Sequence, residues 1–233
     1  MGWDVQHLEQ LFAAYAAELE TLQKEYSPKI AILRGFEAEV VPEANYVDVM
    51  HAFQRRFKFQ YIVGSVHWVN GHIIDYTPEH FAKALAVSGS LEALAIRYYE
   101  TIVDMARRLQ PEVIAHFDLI RRYAPDEGSV STPPARAAAL AALEAVRDVN
   151  AILDVNTGGY RKGFARPYPA PWIVEAARDL GIAFCFGDDS HRASEVGAGI
   201  EDARQYLLAC NIHSITTLRP HPTGLSREEI ALA

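Results

Sequence analysis

Two hydrophobic periods alternate along this chain. Residues 4–25 repeat Leu8, Leu11, Phe12, Tyr15 and Leu19 at helical spacing, which predicts an amphipathic helix. Residues 29–41, 61–69, 113–118 and 151–156 are short apolar runs that read as strands. Residues 184–186 form another, and 214–218 the last. Between them lie segments with helical pattern at 45–57, 91–109, 171–180 and 200–210. Thr77-Pro78 and Thr132-Pro133 each open a further helix, with a hydroxyl at the cap and proline at the first position.

Strand and helix alternate throughout, with no internal repeat and no low-complexity linker. The pattern predicts one α/β domain spanning residues 1–233 around a parallel sheet. Helices on the connections and polar residues at the strand ends favour a barrel, where functional side chains collect at the C-terminal ends of the strands. Those ends carry Glu37, His67, His116, Asn156, Asp189 and His191.

Composition narrows the classes. Lys plus Arg is 22 against 30 Asp plus Glu, a formal charge of −8, which argues against non-specific nucleic-acid binding. No apolar run approaches the roughly 18 residues of a membrane span. Met1 to Val5 lack the basic-then-apolar order of a signal peptide, so a cytoplasmic protein is the expectation. Two cysteines make no disulfide framework, and Cys185, inside an apolar strand, reads as core.

The candidate chemistry is metal binding. In the stretch Phe184 to His191, Gly187 is expected to let the chain turn, and in an extended chain Asp189 and His191 point the same way. Carboxylate and imidazole donors together suit Zn, Mn or Fe. Glu37, His67, His116, Asp189 and His191, gathered at one barrel mouth without a cation, would cost several kcal/mol in desolvation and repulsion. Metals close together favour hydrolysis of a phosphate ester. Arg161 and Lys162 follow a glycine turn at another strand end and are candidates to grip the phosphate. His7, His51 and His80 lie on predicted helices and read as ordinary surface side chains. His72, His213 and His221 carry the same default reading, with reach to the mouth the alternative for His72, a short loop beyond His67.

The segments Gly35-Phe36-Glu37, Gly64-Ser65-Val66-His67-Trp68, Ala115-His116-Phe117-Asp118, Asn156-Thr157-Gly158-Gly159-Tyr160-Arg161-Lys162, Pro167-Tyr168-Pro169 and Gly187-Asp188-Asp189-Ser190-His191 occur in this order. Together they resemble the histidinol-phosphate phosphatases of the polymerase-and-histidinol-phosphatase (PHP) superfamily, from about Asp4 to Leu218. The resemblance implies a distorted (β/α)7 barrel, a TIM-like fold, with a trinuclear centre of divalent metal ions. It implies hydrolysis of L-histidinol phosphate in histidine biosynthesis. Matched position by position, Glu37 would bridge metals, His67, His116, Asp189 and His191 would be further ligands, and Arg161, with Lys162, would contact the substrate phosphate.

One departure stands out. The family opens with a strand bearing a His-x-His pair, and no His-x-His occurs in these residues. The resemblance therefore implies that the first one or two βα units are missing. Two expectations follow. The Glu37 strand should have a free edge that invites a second copy or a separately encoded segment, and the chain alone should hold fewer metals and turn over weakly. The alternatives are a related metallo-phosphoesterase acting on another small phosphate ester or a nucleotide, and an inactive barrel that binds a ligand or partner.

Overall fold

The computed structural model describes residues 5–232. The strands are β1 (Gly35–Ala38), β2 (Tyr61–Gly64), β3 (Trp68–Val69), β4 (His72–Ile73), β5 (Val113–Ile114), β6 (Ile152–Asn156), β7 (Phe184–Gly187), β8 (Ser214–His221) and β9 (Gly224–Ala231). The helices are α1 (Val5–Tyr26), α2 (Tyr46–Phe57), α3 (Pro78–Ser88), α4 (Leu91–Leu109), α5 (Pro133–Asp148), α6 (Gly158–Arg161), α7 (Pro171–Asp179) and α8 (Ile200–Ala209). Asp4, the expected first residue of the N-terminal helix, lies outside the described residues.

Five strands form one parallel sheet in the order β1-β2-β5-β6-β7. This is the α/β architecture that the alternating pattern predicts. Five parallel strands, rather than the seven of the expected barrel, are found among the described residues, with β8 packed beside β7 and paired to β9 as an antiparallel hairpin. The outer edge of β1 has no strand partner among the described residues.

Several predicted strands are shorter than their apolar runs. Of residues 29–41 only Gly35–Ala38 pair, because β1 sits at the sheet edge and β2 begins opposite Gly35. The run 61–69 splits after Gly64. Asn70 and Gly71 take positive φ (51° and 75°) and fold the chain back as the β3–β4 hairpin. Asn-Gly is the strongest short hairpin signal, and here it overrides a continuous apolar strand. The run 113–118 stops pairing at Ile114, and His116 turns to φ 28°.

The helices follow the sequence closely because their ends are marked. Thr77, Ser90 and Thr132 each accept a backbone N–H at a cap, from His80, Ala93 and Ala135. Each such bond contributes about 1 kcal/mol. The apolar stripe of α4, including Leu94, Tyr98, Ile102 and Met105, is buried, and its partner α5 buries Ala135, Ala139 and Ala142. Small side chains there let the two helices approach closely. Helix α1 packs beside β1 through aromatic contacts and one hydrogen bond. Phe12 sits among Phe36, Phe53, Phe57 and Phe59, with ring centroids 4.8 to 6.4 Å away. Tyr15 Oη donates to the Gly35 carbonyl at 2.9 Å, fixing the entry to β1.

Candidate functional site

The sheet order decides the site. β1, β2 and β5 are neighbours, so residues at or just beyond their C-terminal ends meet. Glu37 lies on β1, His67 just past β2 and His116 just past β5. Glu37 Oε1 is 3.0 Å from His67 Nε2 and 3.3 Å from His116 Nε2. One donor atom from each of the three falls within 4.8 Å of the others. The two imidazoles meet edge to face at 4.9 Å.

Two carboxylates hold the histidines in place from behind. Asp75 Oδ2 is 3.0 Å from His67 Nδ1. Asp154 Oδ1 accepts the His116 backbone N–H at 2.7 Å, while Oδ2 accepts from Asn156 Nδ2 at 3.0 Å. The first of these bonds supports a histidine backbone in a sparsely populated region. Glu39 accepts the backbone N–H groups of Val40 and His67 at 2.7 and 2.9 Å.

The electrostatics follow from burial and these partners. Burial pushes the Glu37 carboxyl up, but hydrogen bonds from His116 and His67 outweigh it and hold the group well below the ordinary range. Burial pushes His67 down, and the bonds to Asp75 and Glu37 reverse that, leaving it well above its ordinary value. Burial raises Glu39 to about 7 and Asp154 to about 6.

In metal-free protein the sign is fixed. A carboxyl raised on folding keeps more protons in the native state than in the unfolded one. Its contribution is complete below the unfolded pKa and is lost as pH rises through the folded value. Chelator-treated protein is expected to lose about 2–3 kcal/mol between roughly pH 4 and pH 6 from Asp154. Asp154→Asn should flatten that part of the pH–stability curve, as measured by urea denaturation.

Gly187 has a different role from the one its position suggests. It does not turn the chain through positive φ but continues β7. A Cβ there would lie 2.3 Å from Asp154 Oδ2, so glycine is needed for space. Gly187→Ala is expected to cost about 2–3 kcal/mol, read as a lowered midpoint in thermal denaturation.

The structure gathers three of the five sequence-derived ligands and places the other two on the rim of the same cavity. That cavity, of 680 Å³, runs between β1 and β8 and is lined by Glu37, Asp154, Asp189 and His191 at one end and by Val63, Val113 and Ile152 further along. Asp189 and His191 do not sit on an extended strand, although His191 Nδ1 still lies 3.8 Å from Asp189 Oδ1. Asp189 has φ 50°, which breaks the extended geometry that the alternation argument assumes. Its side chain is 18% exposed, against 78% for His191. Asp188 is tied up as a loop staple, accepting from Gly197 and Ser190. Cys185 lines the cavity, half-buried, rather than sitting in the core.

Lys162 Nζ stands 3.6 Å from Asp189 Oδ2 and 5.5 Å from the centre of the Tyr168 ring. Arg161 Nη2 donates to the Asp188 and Asp189 carbonyls, so its guanidinium clamps the turn at Asp189. Sequence reasoning passed over Asp75, Asp154 and Arg121. Asp154 had a readable signal, a carboxylate inside the wholly buried strand β6.

The donor chemistry fits a divalent cation. One carboxylate and two imidazole nitrogens converge, and three protein donors leave coordination positions open, as catalytic zinc sites do.

No protein-family model matches the chain. A Schizosaccharomyces pombe protein named "Probable histidinol-phosphatase" is 33% identical over 218 residues, covering 91% of this chain and 71% of that protein. A solved candidate histidinol phosphatase from Listeria monocytogenes superposes with a TM-score of 0.73 at 23% identity, over 82% of this chain and 75% of that one. The Lactococcus lactis histidinol phosphate phosphatase, solved with zinc, L-histidinol and phosphate, gives a TM-score of 0.66 at 21% identity, over 88% and 76%.

Proposed function

Because this chain belongs to the histidinol-phosphatase family, we propose that it hydrolyses L-histidinol phosphate at a divalent metal held by Glu37, His67 and His116. The observation that carries this reading is the convergence of three donors from three adjacent strand ends, one of which, Glu37, also lines the cavity that holds Asp189 and His191. When bound, a divalent cation supplies Lewis-acid polarisation of the phosphoryl group and lowers the pKa of a water molecule. Zinc in the Lactococcus lactis structure makes zinc the first metal to test, ahead of manganese and iron.

The chain's own residues do the rest. Asp189 and His191, on the rim, are assigned as additional donors. Lys162, beside Asp189, is assigned to the substrate phosphate as a point charge. Arg161 already holds two carbonyls, so it would reach the phosphate by exchanging one of them. The cavity lies within the size range of small-molecule sites, and its apolar walls suit the organic part of the ester. In the reaction, water adds to phosphorus, the ester P–O bond breaks and the alcohol leaves with a proton. Lys162→Ala is expected to raise KM about 10-fold or more, the usual loss for a hydrogen bond to a charged group.

The test is phosphate release by metal-replete protein from L-histidinol phosphate, a nucleoside monophosphate and a second small ester. Preference for L-histidinol phosphate supports the proposal. Preference for another ester points to the related phosphoesterase, and no turnover of any ester points to a binding barrel.

The outer edge of β1, unpaired by any strand among the described residues, lies beside the cavity and favours an added strand. We place there a second copy of the chain or a separately encoded segment that completes the site. Light scattering on active protein checks this. A monodisperse monomer with full turnover contradicts it.

A further inference from the structure

We propose that Asp75 is a positioning residue that makes His67 an Nε2 metal donor. The inference rests on the metal site proposed above and goes beyond it, since Asp75 is not in the ligand set. Asp75 Oδ2 lies 3.0 Å from His67 Nδ1. An ionised carboxylate only accepts, so Nδ1 must carry the hydrogen. The lone pair of the metal-binding form is then confined to Nε2, the nitrogen that faces Glu37. A second partner of this kind fixes both tautomer and ring orientation in metal sites.

The local chain is built to deliver this contact. Trp68 pairs with Ile73 and Val69 with His72 around the left-handed Asn70-Gly71 turn. Ile74 N–H then donates to the His67 carbonyl at 2.9 Å, which brings the next residue, Asp75, alongside the His67 ring. Past Asp75, Tyr123 Oη holds the Tyr76 carbonyl at 3.1 Å, and Thr77 caps α3. Asp75 is thus pinned from both sides within a short, local loop.

Two further observations separate positioning from simple packing. The other Asp75 oxygen, Oδ1, is buried and makes no hydrogen bond among the described residues. A carboxylate kept for loop structure would be expected to satisfy both oxygens. The second histidine lacks the device: His116 Nδ1 is buried without a hydrogen-bond partner among the described residues, and Asp154 holds its backbone instead. The effect of losing Asp75 should therefore fall on His67 alone.

The experiment is zinc titration of chelator-stripped protein, with histidine-resolved ¹⁵N NMR of the zinc-loaded form, for wild type, Asp75→Ala and Asp75→Asn. Wild type is expected to bind zinc and show a protected His67 Nδ1–H resonance. In Asp75→Ala zinc affinity should fall about 10- to 100-fold, the His67 Nδ1–H resonance should vanish, and His116 should be unchanged. Asp75→Asn keeps the volume and an acceptor oxygen, and should fall between the two. Wild-type affinity in Asp75→Ala overturns the inference. So does weaker binding with the His67 Nδ1–H signal intact, which would mean a structural role. If wild type itself takes up no zinc, the metal reading has failed, and the failure is separate from that of Asp75.

Discussion

Glutamine in place of Glu37 is expected to remove metal from the purified protein and to lower hydrolysis of L-histidinol phosphate about 10³-fold. The rate figure corresponds to roughly 4 kcal/mol of lost charge stabilisation, since each 1.36 kcal/mol is tenfold. Glu37 is singled out because, among the described residues, it is the carboxylate that pairs with both imidazoles, at 3.0 and 3.3 Å. Glutamine has the same shape but no charge, so it removes the anionic donor without opening a cavity. The side chain is 42% exposed at the cavity mouth, and the fold should survive. A near-native melting curve with metal lost is the expected combination. Metal content by atomic emission and phosphate release on one preparation measure both parts.

The second large effect is on stability. Arg121→Met is expected to cost about 3–5 kcal/mol, because it strands the Asp118 carboxylate in the interior. Arg121 is buried, with its guanidinium 4.4 Å from the centre of the Phe164 ring and 4.3 Å from that of Tyr168. Nη2 donates to the Pro167 carbonyl at 2.5 Å, and Nε pairs by charge with Asp118 Oδ2 at 3.0 Å without hydrogen-bond geometry. Burial pushes the Asp118 carboxyl up, and the facing guanidinium is the main force opposing it. Asp118 Oδ2 also accepts the Ala170 N–H at 2.9 Å. Arg121 therefore ties the segment after His116 to the loop carrying Tyr168, which bridges to Asn156 at the end of β6. Lysine should not substitute, since it lacks the flat guanidinium that stacks on the two rings. Asp118→Asn combined with Arg121→Met should recover part of the loss by removing the stranded charge. Urea denaturation of the two single variants and the double variant gives all three values.

Legibility in the sequence followed the range of the interactions. Helices such as α3 and α4 carry their own caps and stripes, so their limits could be read from neighbours in the chain. The parallel sheet was legible as a class because strand and helix alternate. Strand lengths were not, since pairing depends on where the neighbouring strand begins, as β1 against β2 illustrates. Glu37, His67 and His116 could be read as a group because each ends an apolar run. Asp75 could not, because its role depends on a hairpin hidden inside what reads as one strand. Asp189 and His191 were read from alternation in an extended chain, whereas Asp189 takes a left-handed conformation that the alternation does not foresee. Arg121 carried no signal in the sequence; only the fold shows the two rings that enclose it.

The most direct measurement is zinc content per chain together with L-histidinol phosphate hydrolysis, on wild type and Glu37→Gln purified side by side without chelator. The account predicts bound metal with turnover in wild type, and neither in Glu37→Gln. Wild-type protein that hydrolyses the ester without metal, or a Glu37→Gln variant that keeps both metal and rate, would contradict it.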